Sequence, residues 1–201
     1  MNITPLLLKT FKKKPAEIGR FNVSEIYGLL KGYTSPEQYL KGEQVSFKSA
    51  LQMANGVAKH KLIQDLFRDE AGWEIEKKIE AFWYQGKLYR AGEAILVDNI
   101  NIDIKPEWTI IGKADLIFKD TIYEIKTSKD LMFEARPWAE YQVKIYLTLF
   151  EKPAGVIVQP VIRKNGLYLK EIGRIKRDDE FVRGEFKKLN EFFIKLKNVG
   201  M

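Results

Sequence analysis

Cysteine is absent from this chain of 201 residues, and histidine occurs once, as His60. Without thiols there are no disulfides, no cysteine-ligated zinc and no iron–sulfur cluster held by the chain's own side chains. With a single imidazole, any metal site must be mainly oxygen-ligated. Such a site favours hard divalent cations, Mg²⁺ or Mn²⁺. Long apolar runs are also missing, and none approaches the ~20 residues of a membrane-spanning helix. The opening Met1-Asn2-Ile3 lacks the layout of a secretory leader. The expectation is a soluble, cytoplasmic chain with no membrane partner. Repeats and low-complexity tracts are not seen either.

What is present is an ordinary globular balance, 45% hydrophobic and 30% charged, with a net charge of +7. The length fits a single domain. The charge is uneven. Residues 1–20 carry five basic and one acidic side chain, and residues 159–201 carry eleven and six. The stretch between them is slightly acidic, with eighteen basic and twenty acidic. Basic ends around an acidic centre suit a polyanionic partner, although solvated lysines on helix faces would give the same count.

Helical signals dominate the first ninety residues. A helix is expected from Ser24 to Gly32, and another opening at Ser35-Pro36 with proline at its first position. A long helix is expected over 47–70, on the recurrence of Phe47, Leu51, Ala54, Ala58, Leu62 and Leu66. A further helical piece is expected from Glu74 to Phe82. The pattern then changes to short β-branched or aromatic runs at 93–98, 108–111, 114–118 and 121–126, read as strands. Pro137 opens a helix to residue 150. Segments 155–162 and 167–175 flank Lys164-Asn165-Gly166, a hairpin signal. Asp178 caps a last amphipathic helix to about 197, with Phe181, Leu189, Phe192, Phe193 and Leu196 near its apolar stripe. The order predicts an α/β domain with a central mixed β-sheet flanked by helices and an N-terminal helical region. Its parts would be 1–90 mainly helical, 91–150 a central core, and 151–201 a hairpin and closing helix.

One stretch carries chemistry. If Lys119-Asp120 turns a hairpin, Phe118 opposes Thr121 and Ile117 opposes Ile122. Asp115 then falls opposite Glu124, with Cβ atoms about 4.5–5.5 Å apart. Lys126 shares the face of Glu124. Apolar neighbours place the strands inside, where two like charges cost several kcal/mol unless a cation compensates. A divalent ion would resolve the conflict, and a solvated sheet edge with paired charges is the plain alternative. His60 follows Gly56 by one helical turn, a spacing that lets the backbone approach the sheet and offers a nitrogen ligand, with a satisfied, partly buried histidine as the plain alternative. Gln142 and Tyr146 form another i, i+4 pair. Trp138, Tyr141, Ile145 and Leu149 fill the core stripe of that helix, which leaves the polar pair for the rim of a site or an amphipathic boundary. Glu93 is a further candidate acid or a surface strand residue.

In chain order the set reads Gly56-x3-His60, Glu93, Gly112-x2-Asp115, Glu124-x-Lys126, Gln142-x3-Tyr146. This resembles the RecB-like branch of the PD-(D/E)xK nuclease superfamily. It is most similar to CRISPR-associated RecB-like single-strand nucleases and their relatives in phages and archaeal viruses. The similarity spans roughly residues 21–150, and Phe21-Asn22-Val23-Ser24-Glu25-Ile26 is similar to the family's opening helix. The resemblance implies a restriction-endonuclease-like core and a metal-dependent deoxyribonuclease. His60, Asp115, Glu124 and the Ile125 carbonyl would ligate Mg²⁺ or Mn²⁺, with Glu93 a further candidate. Lys126 would position or activate the attacking water, and Gln142 and Tyr146 would support the site and contact nucleic acid. DNA is the implied partner, single-stranded by family analogy and not read for sequence. The alternative is a nucleic-acid-binding subunit of this fold without turnover. Many CRISPR-associated members carry four cysteines for an iron–sulfur cluster. A cysteine-free chain fits a viral or stand-alone relative, placed in a host cytoplasm if viral. The closing helix packed on the N-terminal helices would take the cluster's place. Ala114 stands where the namesake proline would be. Tyr33, Tyr39, Trp73, Trp83 and Tyr84 are candidate base-stacking aromatics or core, and the basic termini are candidate homo-oligomer contacts.

Overall fold

The computed structural model describes residues 4–11, 15–42, 46–90, 96–97, 100–101, 107–128 and 130–200. The elements in chain order are α1 (Thr4–Phe11), β1 (Arg20–Asn22), α2 (Val23–Leu30), α3 (Pro36–Lys41), α4 (Phe47–Phe67), β2 (Trp73–Tyr84) and β3 (Lys87–Arg90). They continue with β4 (Leu96–Val97), β5 (Ile100–Asn101), β6 (Trp108–Phe118), β7 (Thr121–Ile125), α5 (Pro137–Leu149), β8 (Ala154–Arg163), β9 (Gly166–Lys176) and α6 (Asp179–Gly200). A seven-stranded mixed sheet runs β3-β2-β6-β7-β8-β9, with β1 paired to β6. This is the expected α/β architecture, a central mixed sheet with flanking helices.

Local chemistry sets most helix starts. Ser35 and Gln38 form a reciprocal capping box around Pro36. Ser46 accepts from the Ser49 N–H at the head of α4, and Asp178 accepts from the Phe181 N–H at the head of α6. The face of α6 that bears Leu189, Phe192, Phe193 and Leu196 is buried. Phe21 sits against Phe193, and Tyr39 against Phe192, with ring centroids 6.5 and 6.2 Å apart. Trp108 donates from Nε1 to Asn190 Oδ1 at 2.9 Å. The closing helix thereby ties the N-terminal segments to the sheet by aromatic packing and this hydrogen bond.

Two expectations are corrected, and packing decides two further points. Residues 74–82 are strand, not helix: β2 pairs antiparallel with β6 from Trp73↔Phe118 to Trp83↔Trp108. The alternation Trp73, Ile75, Ile79, Ala81, Trp83 has the period of a strand, and long pairing overrides the helical propensity of its Glu and Lys residues. The runs 108–111 and 114–118 are one strand, because Gly112 does not turn the chain. It stands where an added Cβ would lie 2.9 Å from the Tyr146 ring and 3.2 Å from Ile79. In α4 it is Ile63 and Phe67 that pack on the sheet, not most of the recurring apolar positions. Phe47, Leu51, Leu62 and Leu66 are exposed, while Ala50, Ile63 and Gln64 are buried. The reason is Gly56, whose absent Cβ would lie 3.2 Å from Thr127 Oγ1, so the small-residue side of the helix makes the close approach. Finally, Tyr39 and Trp83 are core, and Trp73 packs among Phe67, Phe118 and Tyr123. Of the proposed stacking aromatics, Tyr33 is the one found largely exposed. The elements α1, β1 and β3 were not expected from the sequence.

Candidate active site

The site opens where the sheet is interrupted. One edge of β6 is covered by β2 along its length. The other edge is shared: β1 pairs in parallel with Thr109–Ile111, and β7 pairs antiparallel with Leu116–Phe118. Residues 112–115 fall between these two partners. A cavity of about 430 Å³ lies there, lined by Asn22, Ser24, His60, Gly112, Lys113, Asp115, Glu124, Lys126, Trp138, Gln142 and Tyr146 among others.

The hairpin turns at Lys119-Asp120, as expected, and pairing runs from Phe118↔Thr121 to Leu116↔Tyr123. Beyond that pair the register departs from a simple face-to-face Asp115–Glu124 arrangement. The Ile125 N–H donates to Asp115 Oδ2 at 2.8 Å, so the carboxylate takes the amide that a longer ladder would have used. The Lys126 N–H donates to the Val158 carbonyl, which extends the β7–β8 pairing past Ile125. Asp115 and Glu124 are nearly inaccessible, 7% and 3% exposed.

Glu124 is buried beside a second carboxylate. Lys126 Nζ donates to its Oε1 at 2.6 Å. Its Oε2 is buried and, among the described residues, has no hydrogen-bond partner. Burial and the charge of Asp115 push its carboxyl up to about 7, against the opposing pull of Lys126. His60 closes the other side. Its Nε2 lies 2.6 Å from the Ile125 carbonyl oxygen, which can only accept, so Nε2 carries the proton. Nδ1 is 3.4 Å from Asp115 Oδ1. Burial pulls the His60 pKa down, but the hydrogen bond and charge of Asp115, the Ile125 carbonyl and Glu124 outweigh it, and the net shift is upward.

A relay leads from these carboxylates to α5. Lys126 Nζ also donates to Gln142 Oε1 at 2.8 Å, and Gln142 Nε2 donates to Tyr146 Oη at 3.0 Å. Burial first, then the charge of Glu124, raises the Tyr146 phenol, so it stays neutral. The ammonium of Lys126 lies 4.8 Å from the centroid of the Trp138 ring. Trp138 was expected in the core stripe of the helix. It is instead 45% exposed at the cavity wall, while Tyr141, Ile145 and Leu149 are buried. Sequence reasoning thus missed Trp138, because a tryptophan at helical spacing reads as core. It also passed over Lys113 and the Asn22–Ser24 corner. His60, Asp115, Glu124, Lys126, Gln142 and Tyr146 all meet in this one cavity. Glu93 lies outside the described residues.

The donor set suits a hard cation. Two carboxylates, a backbone carbonyl and an imidazole converge, and one buried carboxylate oxygen is unpartnered. Among the described residues no three His, Asp or Glu side chains are already splayed into a ready-made cage. The imidazole and the Lys126 ammonium are the groups now compensating the two carboxylates.

No family model and no curated protein sequence matches this chain. Solved structures do. The crystal structure of SSO0001 is similar with a TM-score of 0.59 and 20% identity, over 98% of this chain and 88% of that one. An alkaline exonuclease from Laribacter hongkongensis is similar with a TM-score of 0.54 and 10% identity, over 96% and 93%. The same exonuclease in complex with dAMP gives 0.56 and 12%, over 90% and 89%. At these identities the likeness establishes a shared fold. The chain thus has the α/β fold of an alkaline exonuclease, with a buried Asp–Glu–Lys cluster at an interruption of its sheet.

Proposed function

We propose that this chain is a metal-dependent deoxyribonuclease of the RecB-like PD-(D/E)xK type, cutting phosphodiester bonds of single-stranded DNA without reading sequence. The observation that carries the reading is the partnerless buried Oε2 of Glu124 beside Asp115, with Lys126 aimed into the same cavity. Like charges buried this closely are expensive unless a cation joins them. The exonuclease fold of the neighbours supports a nuclease, and the dAMP bound to one of them supports a nucleic-acid substrate.

Asp115, Glu124, the Ile125 carbonyl and His60 would hold Mg²⁺ or Mn²⁺. For His60 this means exchanging one of its present contacts for the ion. When bound, the ion supplies Lewis-acid polarisation of the phosphate and acidifies a water. The protein's own part is positioning. Gln142 and Glu124 fix the Lys126 ammonium at the cavity, where it can orient the attacking water or meet charge developing on a phosphate oxygen. Tyr146 holds Gln142, and Trp138 shields the ammonium from bulk water. The basic side chains of the two ends would grip phosphates in a sequence-independent, salt-sensitive way.

The test is cleavage of end-labelled single-stranded, double-stranded and circular single-stranded DNA with Mg²⁺, Mn²⁺ or EDTA, beside Asp115→Ala. Metal-dependent cutting that the variant loses, while it still binds DNA, is the expected result. A folded wild type that binds DNA but never cuts it would replace the nuclease by a binding subunit of this fold.

A further inference from the structure

Next to the catalytic cavity, on the other side of α4, lies a second groove of about 290 Å³. Its walls are Leu62 of α4, Leu131, and Val161, Ile162 and Leu167 of the β8–β9 hairpin. The two spaces are joined by chain neighbours. Lys59 precedes His60, and Thr127 and Ser128 follow Lys126, yet all three line the groove.

The apolar groups here are held out in solvent rather than left there by a loose loop. Ile162 of the groove wall is 84% exposed, and Phe133, two residues past Leu131 and beside the groove rather than in its lining, is 85% exposed. The loop that bears Leu131 and Phe133 is braced from beneath by Gln159, a 3%-exposed side chain. Gln159 accepts from the Met132 N–H at 2.8 Å and donates to the Asp130 carbonyl at 2.7 Å. Lys170 donates to the Met132 carbonyl at 2.7 Å, and its ammonium sits 4.7 Å from the Phe133 ring centroid. On the neighbouring hairpin Arg163 lies 5.8 Å from the Tyr168 ring. The groove itself carries Lys59 and Asp130, and the hairpin beside it adds Arg163 and Lys164, which follow the lining residue Ile162, and Lys170, the cross-strand partner of Gln159.

We propose that this groove binds the unpaired bases of a DNA strand whose phosphate lies in the catalytic cavity. The inference rests on the nuclease reading for its location. A braced apolar face with an exposed phenylalanine beside it offers bases a stacking platform, and the basic side chains of the hairpin offer their phosphates charge. The volume is at the small end of ligand clefts, roughly 300–1,000 Å³, which suits a base and its sugar and not a duplex. Duplex DNA hides its bases, so such a groove would favour single strands by chemistry and not by sequence.

The experiment measures fluorescence anisotropy of a labelled thymidine oligonucleotide and of an abasic strand of equal length. EDTA is present to prevent cutting, and the proteins are wild type, Phe133→Ala and Ile162→Asp. Both replaced side chains are exposed, so unchanged melting temperatures are the control. Wild type should bind the base-bearing strand about tenfold more tightly than the abasic one, the size of one lost stacking contact. Phe133→Ala should lose that difference and keep its affinity for the abasic strand, while Ile162→Asp should lose the difference and, through its added negative charge, weaken both strands. Equal affinity of wild type for the two strands overturns the proposal, as does base-dependent binding that the variants retain. It is equally overturned if Ile162→Asp leaves strand affinity unchanged but dissociates an oligomer in sedimentation, which would make the groove a contact between copies. The two readings separate cleanly. Base-dependent binding without any Mn²⁺-dependent cleavage sinks the nuclease and keeps the groove. Cleavage without base dependence does the reverse.

Discussion

Replacing Glu124 by glutamine should stabilise the metal-free protein while abolishing its activity. The two carboxylates are buried together, and the Glu124 carboxyl is pushed from 4.5 to about 7 by burial and by Asp115. That displacement corresponds to about 3 kcal/mol held against the charged form. The sign follows from proton linkage. A carboxyl whose folded pKa is raised binds its proton more tightly in the folded state. Its penalty is absent below pH 4.5, grows as pH climbs, and is complete above about 7. Glutamine removes the charge and keeps an Oε1 acceptor for Lys126. In EDTA the wild type and Glu124→Gln should therefore melt alike near pH 4.5. Near pH 8 the variant should melt higher by up to roughly 6–12 °C, taking about 2–4 °C per kcal/mol for a chain of this size. Differential scanning calorimetry at the two pH values, with and without Mn²⁺, is the assay. Mn²⁺ should raise the melting temperature of wild type and leave the variant nearly unmoved. A variant that melts at or below wild type at pH 8 in EDTA would refute the reasoning, because no conflict between the two carboxylates would remain for a cation to resolve.

The other expectations concern the groups around that pair. Lys126→Met should lose cleavage by about three orders of magnitude, the scale of one pre-oriented charge at a reacting centre, with Mn²⁺ affinity by calorimetry retained or raised. Loss of Mn²⁺ affinity would mean that the ammonium shapes the metal site and not the reaction. His60→Ala should shift the Mn²⁺ titration of activity to higher concentration, and an unshifted curve would leave His60 a purely structural bridge between Asp115 and the Ile125 carbonyl. Gly155→Ala should destabilise by about 1–3 kcal/mol, since its Cβ would clash with Val143 Cγ1. Adding Val143→Ala should recover part of that loss in chemical denaturation, and two strictly additive penalties would show that the clash is not the cause.

Much of the site was legible because its residues act through local spacing. A two-residue turn at Lys119-Asp120 and the period of a strand bring Asp115 and Glu124 together, and one helical turn relates Gln142 to Tyr146. The same arithmetic could not see that the ladder stops at Leu116↔Tyr123, nor that Asp115 then takes the Ile125 amide. Nor could it see β1, a three-residue strand at Arg20–Asn22 too short to leave a pattern, which pairs with Thr109–Ile111 and leaves residues 112–115 open between two partners. Trp138 was misplaced for a related reason. Periodicity says which side chains share a helix face but not which face meets the sheet.

The sequence alone determined the class of fold, through its order of helical and strand periods, and the identity of the charged cluster, through pairwise spacings. It also narrowed any metal site to hard cations, because a chain with no cysteine and one histidine has little but oxygen to offer. Tertiary structure decided what distance along the chain cannot encode. The interruption at residues 112–115 needs strands drawn from three separate segments. The orientation of α4 was settled by the close approach of Gly56 to Thr127, which turned Leu62 outward against the apolar periodicity of its own helix. That choice belongs to packing, since a helix buries whichever face lets its backbone come nearest the sheet without leaving a void.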